Sequence, residues 1–175
     1  TAKLLGVKFP GGPQIEVMAK KGNSNKYDLP KPIFNKGGCN LSFAGLKTSI
    51  LKISKTIKTE QEKFDLAASF QKTIEEILKK KTQIAFNEFE KQNNLTKKTF
   101  VIAGGVAANK KIRSMLINLC KEKNYENIFP PIKICGDNAA MIAMLGLEKY
   151  KLKQFDKLDY PVKPRWPLDE NAKFL

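Results

Sequence analysis

The sequence predicts an α/β fold, on three observations. First, Thr99 to Ala103 is a short apolar run rich in β-branched and aromatic residues, followed by Gly104-Gly105 and then by Ile112, Met115, Leu116 and Leu119 at helical spacing. Second, Cys39-Asn40-Leu41-Ser42-Phe43 alternates like a strand, Gly45 turns it, and Leu46 to Ser54 continues as a helix with Leu46, Ile50 and Ile53 on one face. Third, Asn127-Ile128-Phe129 reads as a short strand stopped by Pro130 and Pro131, after a helix over 107–123. Strand, glycine, helix repeated in this way makes a layered structure.

The elements follow in order. Thr1 to Gly6 reads as the last turn of a helix that begins before residue 1. Phe9-Pro10-Gly11-Gly12-Pro13 is a rigid, shaped turn. Pro13 fits the first position of a helix over Gln14 to Lys21, with Glu16 in its first turn as a partner for the helix dipole. Asn23 to Gly38 is polar and broken by Pro30 and Pro32, hence a loop. Thr59 and Glu62 form a capping box that opens the longest helical pattern, running to about Gln92. Its apolar positions are Phe64, Ala67, Phe70, Ile74, Ile77, Leu78, Ile84, Ala85 and Phe89; Lys79-Lys80-Lys81 reads as a solvated face. Asp137 is a natural N-cap for a helix to about Tyr150, in which Ala139, Ala140 and Ala143 permit close packing. The tail around Tyr160 to Pro167 is extended, and Trp166 is expected to pack it onto the body.

Composition narrows the function. The 175 residues suit one domain, or one lobe of a larger protein, able to bury roughly 70% of the unfolded chain's surface. The net charge of +15, from 32 Lys+Arg against 17 Asp+Glu, draws the chain to polyanions. A lysine-rich compositional habit without a partner accounts for the charge equally well. The only arginines are Arg113 and Arg165, and lysine meets phosphate as a point charge without reading bases. Cys39, Cys120 and Cys135, three and widely spaced, point to a reducing cytoplasm and away from a disulfide scaffold or a zinc ribbon. No apolar run is long enough to span a membrane. With 0 histidines, imidazole acid/base chemistry and imidazole metal ligands are excluded within these residues.

The Gly104-Gly105 turn ends a strand and opens a helix whose first amides would be unpaired, which suits an anionic or polar ligand. A tight turn chosen for packing alone is the competing reading.

Four segments, TAKLLGVKFPGGPQIE, LSFAGLKTSI, FVIAGGVAANKKIR and CGDNAAMIA, with the tail VKPRWPL, resemble in order and spacing the C-terminal half of the TsaD family of tRNA N6-adenosine threonylcarbamoyltransferases. The resemblance runs from Thr1 to about Leu168. It implies the C-terminal part of an actin-like, two-lobed fold, a mixed sheet flanked by helices of the kind shared with sugar kinases and Hsp70-type ATPases. It implies residues 1–175 as a single lobe with 160–175 as an extended tail. It implies transfer of a threonylcarbamoyl group from threonylcarbamoyl-AMP to N6 of adenosine 37 in tRNAs reading codons that begin with A. Gly12 matches a substrate-binding glycine, Glu16 a position that contacts the ribose, and Asn109 a substrate-binding asparagine. Gly104 and Gly105 would let backbone approach the adenylate. Asp137 matches one ligand of a divalent metal, iron or zinc, whose two histidines belong to the N-terminal lobe; the metal would act as Lewis acid or template. The implied partners are tRNA, a TsaB-like paralogue and a TsaE-like small ATPase. A further substrate-binding aspartate of the family falls before residue 1, so the chain is expected to be a piece of a longer enzyme and inactive alone. An actin-like small-molecule kinase lobe and a non-enzymatic basic RNA-binding module are the alternatives. A peptidase finds no support, since no HExxH and no activated nucleophile pair is present.

Overall fold

The computed structural model describes residues 1–93, 95–162 and 164. The chain divides into two compact units, Thr1–Asp137 and Asn138–Leu175. The first unit is built on one long helix. Thr59 caps it as expected: its hydroxyl accepts from Glu62 N at 3.2 Å, and Glu62 Oε2 accepts from Thr59 N at 3.0 Å. This helix, Glu60–Gln92, is the third of five α-helices among the described residues. In chain order these are α1 (Gly11–Ala19), α2 (Leu46–Ser54), α3 (Glu60–Gln92), α4 (Lys110–Glu122) and α5 (Ala139–Lys151). A 3-10 turn over Ala2–Leu5, ended by Gly6 at φ 74°, precedes α1.

Among the described residues the sheet has two strands, β1 (Thr99–Val101) and β2 (Glu126–Ile128), parallel, with Phe100 opposite Asn127. α4 is the crossover between them, so this is a βαβ unit. The expected strand at Cys39 to Phe43 does not form. Alternation marks a segment that can pair, but pairing needs a neighbouring strand edge, and none lies alongside among the described residues.

Two apolar clusters hold the first unit. Leu5, Ile15, Met18, Leu46, Ile50, Leu66 and Ala67 are buried where α1 and α2 meet the N-terminal half of α3. Gly22 lets the end of α1 approach closely: a Cβ there would lie 2.0 Å from the Phe64 carbonyl oxygen. Further along α3, Phe86 is buried with Leu119, Cys120 and Tyr125 and joins the helix to the βαβ unit.

A row of buried polar groups on α3 carries the loop over 22–38. Asp65, Ser69, Thr73 and Lys81 recur at multiples of four, hence on one face. Asp65 Oδ1 accepts from Asn23 N at 2.8 Å and from Gln61 Nε2 at 2.8 Å. Ser69 Oγ accepts from Tyr27 N at 3.2 Å. Lys81 is not solvated as its charge run implies; it is 3% exposed, and Nζ donates to the carbonyls of Lys36 at 2.8 Å and Gly38 at 3.2 Å. A loop without internal ladders must pair its backbone groups elsewhere, and α3 supplies the partners.

The hydrogen bonds from Asn23 and Gln61 hold the Asp65 carboxyl below its ordinary value of 3.8. A group with a depressed folded-state pKa stabilises the fold above its unfolded value and loses that contribution as pH falls through the folded one. The melting temperature is therefore expected to fall on acidification from about pH 5 to pH 3, and Asp65→Asn to flatten that fall. Identical melting profiles for parent and variant over that range would rule the Asp65 contribution out.

In the second unit, Asn138, not Asp137, caps α5: its Oδ1 accepts from Met141 N at 3.0 Å. Both residues cap well, and adjacent candidates are separated by backbone conformation, which at Asn138 is extended, φ −151° and ψ 148°. No residue of α5 is buried, so Ala139, Ala140 and Ala143 make no close packing among the described residues. The expected packing of the tail through Trp166 lies outside the described residues. No described helix is long and apolar enough to cross a membrane.

Candidate functional site

The site is built where α1 meets the start of α4. After β1 the ladder ends with Ile102 N donating to Ile128 O at 3.0 Å. Gly104 then takes φ 89° and ψ 170°, a conformation open in practice to glycine alone. A 3-10 turn over Gly105–Ala108 follows, and Asn109, φ −65° and ψ 118°, breaks it to start α4. The single helix expected over 107–123 is thus two pieces with Asn109 at the joint.

Asn109 engages both ends of its carboxamide, with one Nδ2 hydrogen left over. Oδ1 accepts from Lys111 N and Ile112 N, both at 3.0 Å, and Nδ2 donates to Gln71 Oε1 on α3 at 3.0 Å. Gln71 also hydrogen-bonds the side chain of Glu75, whose carboxyl burial pushes up while Lys111 and Gln71 hold it back. Gln71 thereby fixes which way the Asn109 amide faces. Nothing in its sequence context marks it, since it lies mid-helix among ordinary helix formers.

Glu16 completes the joint. α1 starts at Gly11, three residues before the expected Gln14, with Pro10 as its extended N-cap at φ −79° and ψ 128°. Glu16 therefore lies beyond the first turn and is not a partner for its own helix dipole. Its Oε1 accepts from Lys110 N at 3.0 Å, across 94 residues of sequence. The amides of Lys110, Lys111 and Ile112 are thus all taken, by Glu16 and Asn109. The start of α4 is not the open anion cradle the sequence implies; a carboxylate of the chain already occupies that dipole end.

The Pro-Gly corner and the Gly-Gly corner therefore belong to one place. Gly12 lies one helical turn before Glu16, and Gly105 four residues before Asn109. Among the described residues, a Cβ at Gly12 or at Gly105 would meet no atom within 4 Å beyond its chain neighbours and its own helix backbone. Neither glycine is accounted for by internal packing.

Asp137 is not drawn into this contact. It is exposed, on the segment that follows the 3-10 turn Ile132–Ile134. That segment is tied to α4 through Arg113, one helical turn from Asn109. Arg113 Nε donates to Ala107 O at 3.0 Å, and Nη2 to Pro130 O at 3.2 Å, with Cys135 Sγ 3.6 Å away. The guanidinium also covers the Phe129 ring at 4.4 Å. Arg113, marked in the sequence only as one of two arginines, links the glycine turn to the loop carrying Asp137.

Comparison with known proteins gives the family. The sequence profile of TsaD, tRNA N6-adenosine threonylcarbamoyltransferase, matches residues 1–144. The chain belongs to the TsaD family. A tRNA N6-adenosine threonylcarbamoyltransferase of Pelagibacter ubique (strain HTCC1062) is 76% identical over 175 residues, covering 100% of this chain and 49% of that protein. Relatives of the same name from Rickettsia conorii and Rickettsia canadensis are 50% and 51% identical over 172 residues, 97% of this chain and 50% of each relative. The chain thus spans about half the length of the curated TsaD proteins it matches. The divalent metal that the resemblance implies finds few ligands here. The chain has 0 histidines, and no three of His, Cys, Asp and Glu gather among the described residues. Asp137 offers one hard oxygen, and no step of the reaction is derived through a metal.

Proposed function

We propose that this chain supplies the substrate-binding, C-terminal lobe of an enzyme that moves threonylcarbamoyl from threonylcarbamoyl-AMP to N6 of adenosine 37 in tRNAs reading codons that begin with A. The observation that carries the reading is the hydrogen bond from Lys110 N to Glu16 Oε1, which brings the FPGGPQIE and AGGVAANK motifs together at 3.0 Å. Glu16 keeps its second oxygen for a ribose hydroxyl. Gly12, Gly104 and Gly105 leave open surface for the adenylate to approach backbone. Asn109, held by Gln71, presents an amide of fixed orientation at the edge of that surface.

In the reaction the N6 lone pair attacks the carbamoyl carbonyl carbon, a carbon–nitrogen bond forms as the carbon–oxygen bond to phosphate breaks, AMP leaves with that electron pair, and N6 releases one proton to solvent. What these residues do is bind and orient the adenylate. Asp137 is read as one ligand of an iron or zinc ion whose remaining ligands lie outside residues 1–175. The βαβ unit is read as part of an actin-like two-lobed protein of the cytoplasm, working with a TsaB-like paralogue and a TsaE-like ATPase.

Two measurements test this. A full-length protein carrying these residues is expected to modify tRNA when given threonylcarbamoyl-AMP, and the 175-residue chain alone to give no transfer. Transfer by the chain alone would remove the lobe reading, and ATP consumption with a small acceptor in place of transfer would make the protein a kinase. Asp137→Ala in the full-length protein is expected to cut bound metal from about one ion per subunit to near none by elemental analysis. Unchanged metal content would remove Asp137 from the ligand set.

A further inference from the structure

The lysines of the chain are not evenly balanced by carboxylates. On α3, Lys63 pairs with Glu60, Lys72 with Glu76 and Lys91 with Glu88; on α5, Lys151 pairs with Glu148. Between Asp28 and Glu60, by contrast, no acidic residue occurs, while Lys31, Lys36, Lys47, Lys52, Lys55 and Lys58 do. Lys31 is engaged by Glu76 and Lys36 lies in the loop that Lys81 holds. The other four are exposed, and among the described residues none pairs with a carboxylate.

α2 decides which way three of them face. Leu46 is 2% and Ile50 1% exposed, and Ile53 packs against the same cluster. At about 100° per residue, Thr48, Leu51, Lys52 and Lys55 then fall on the opposite, outward half, and the exposed Lys47 on its flank. Lys47 and Lys55 stand roughly 12 Å apart along the axis. A solvated helix end explains Lys52 and Lys55, which sit where the dipole favours cations. It does not explain Lys47, which stands in the first turn, where a cation is disfavoured and no acid is present to offset it. A single-signed row fixed outward by a buried opposite face is a field for a polyanion. Lysine reads charge without reading sequence, which suits an enzyme acting on several tRNAs at one position. α2 packs on the 3-10 turn over Ala2–Leu5, and that turn packs on α1, which carries Gly12 and Glu16.

We propose that the outward face of α2, through Lys47, Lys52 and Lys55, is where this chain meets the phosphate backbone of its RNA substrate. The proposal rests on the transferase reading for the identity of the RNA.

The test is the triple variant Lys47→Gln/Lys52→Gln/Lys55→Gln in the full-length protein, beside a control triple at the exposed Lys80, Lys121 and Lys133 and an all-arginine α2 triple. The α2 glutamine triple is expected to raise KM for tRNA at least about tenfold, leaving kcat and KM for threonylcarbamoyl-AMP within about twofold. The slope of log affinity for unmodified tRNA against log salt should become shallower by about two, and the arginine triple should restore both. A parent-like KM and salt slope, or an effect matched by the control triple, would overturn the proposal. Binding of unmodified tRNA is measured apart from transfer. A parent protein with no transfer but a salt slope that falls in the α2 triple retires the transferase reading and keeps the surface.

Discussion

Asn109→Ala in the full-length protein is expected to lower threonylcarbamoyl transfer about tenfold to a hundredfold and to cost about 1–2 kcal/mol of stability. The two losses have different origins. Oδ1 caps α4 through Lys111 N and Ile112 N, so its removal exposes two amides at a helix start. Nδ2 spans to Gln71 and so sets the face of the amide offered to a ligand. Asn109→Asp separates them, because aspartate caps as well as asparagine but has no amide hydrogens to donate. The aspartate variant should keep the cap and lose only the Gln71 bond, so it should be less destabilised than the alanine variant and still lose most of the transfer. Full transfer in Asn109→Asp would show that the residue is a helix cap and nothing more.

Phe86→Ala is expected to cost about 3–5 kcal/mol, a third or more of a typical domain's stability. Phe86 is 3% exposed and lies flat on Tyr125, ring centroids 3.8 Å apart, with Phe100 edge-on at 5.0 Å. It is the one residue of α3 buried in the cluster with Leu119, Cys120 and Tyr125. Tyr125 also donates from its hydroxyl to Phe86 O at 3.4 Å, and Lys98 sits over its other face at 4.8 Å while bonding Glu90 at 2.7 Å. Truncation would open a cavity bounded by two aromatic rings that rigid neighbours hold apart, so little collapse can offset the loss. Phe86→Leu should cost less than half as much. Denaturant unfolding of the 175-residue chain measures both; a loss under about 1 kcal/mol for the alanine variant would mean that α3 and the βαβ unit are held together elsewhere.

The parts of the fold legible in the sequence are those that local chemistry decides. The Thr59-Glu62 box closes within one helical turn, and α2 begins and ends at the residues its spacing marks. The strand, glycine, helix element at Gly104-Gly105 is likewise set by neighbours a few residues apart. Cys39 to Phe43 was not decidable this way, because alternation says that a segment can pair but not that an edge waits for it. The burial of Lys81 is hidden from the sequence for a related cause. A triple-lysine run reads as solvent-facing, and the carbonyls that bury Lys81 lie 43 and 45 residues away.

The candidate site divides along the same line. The sequence by itself marked Gly12, Glu16, Gly104, Gly105, Asn109 and Asp137 through motif and order, and it excluded histidine chemistry outright. Only the tertiary structure decided that Glu16 fills the start of α4 that motif reading left open, that Gln71 sets the Asn109 amide, and that Arg113 ties the glycine turn to the Asp137 loop. The reason is physical: backbone dihedrals, caps and turns answer to residues within one helical turn, whereas the partner of a carboxylate or an amide is fixed by whichever distant groups packing brings within 3 Å of it.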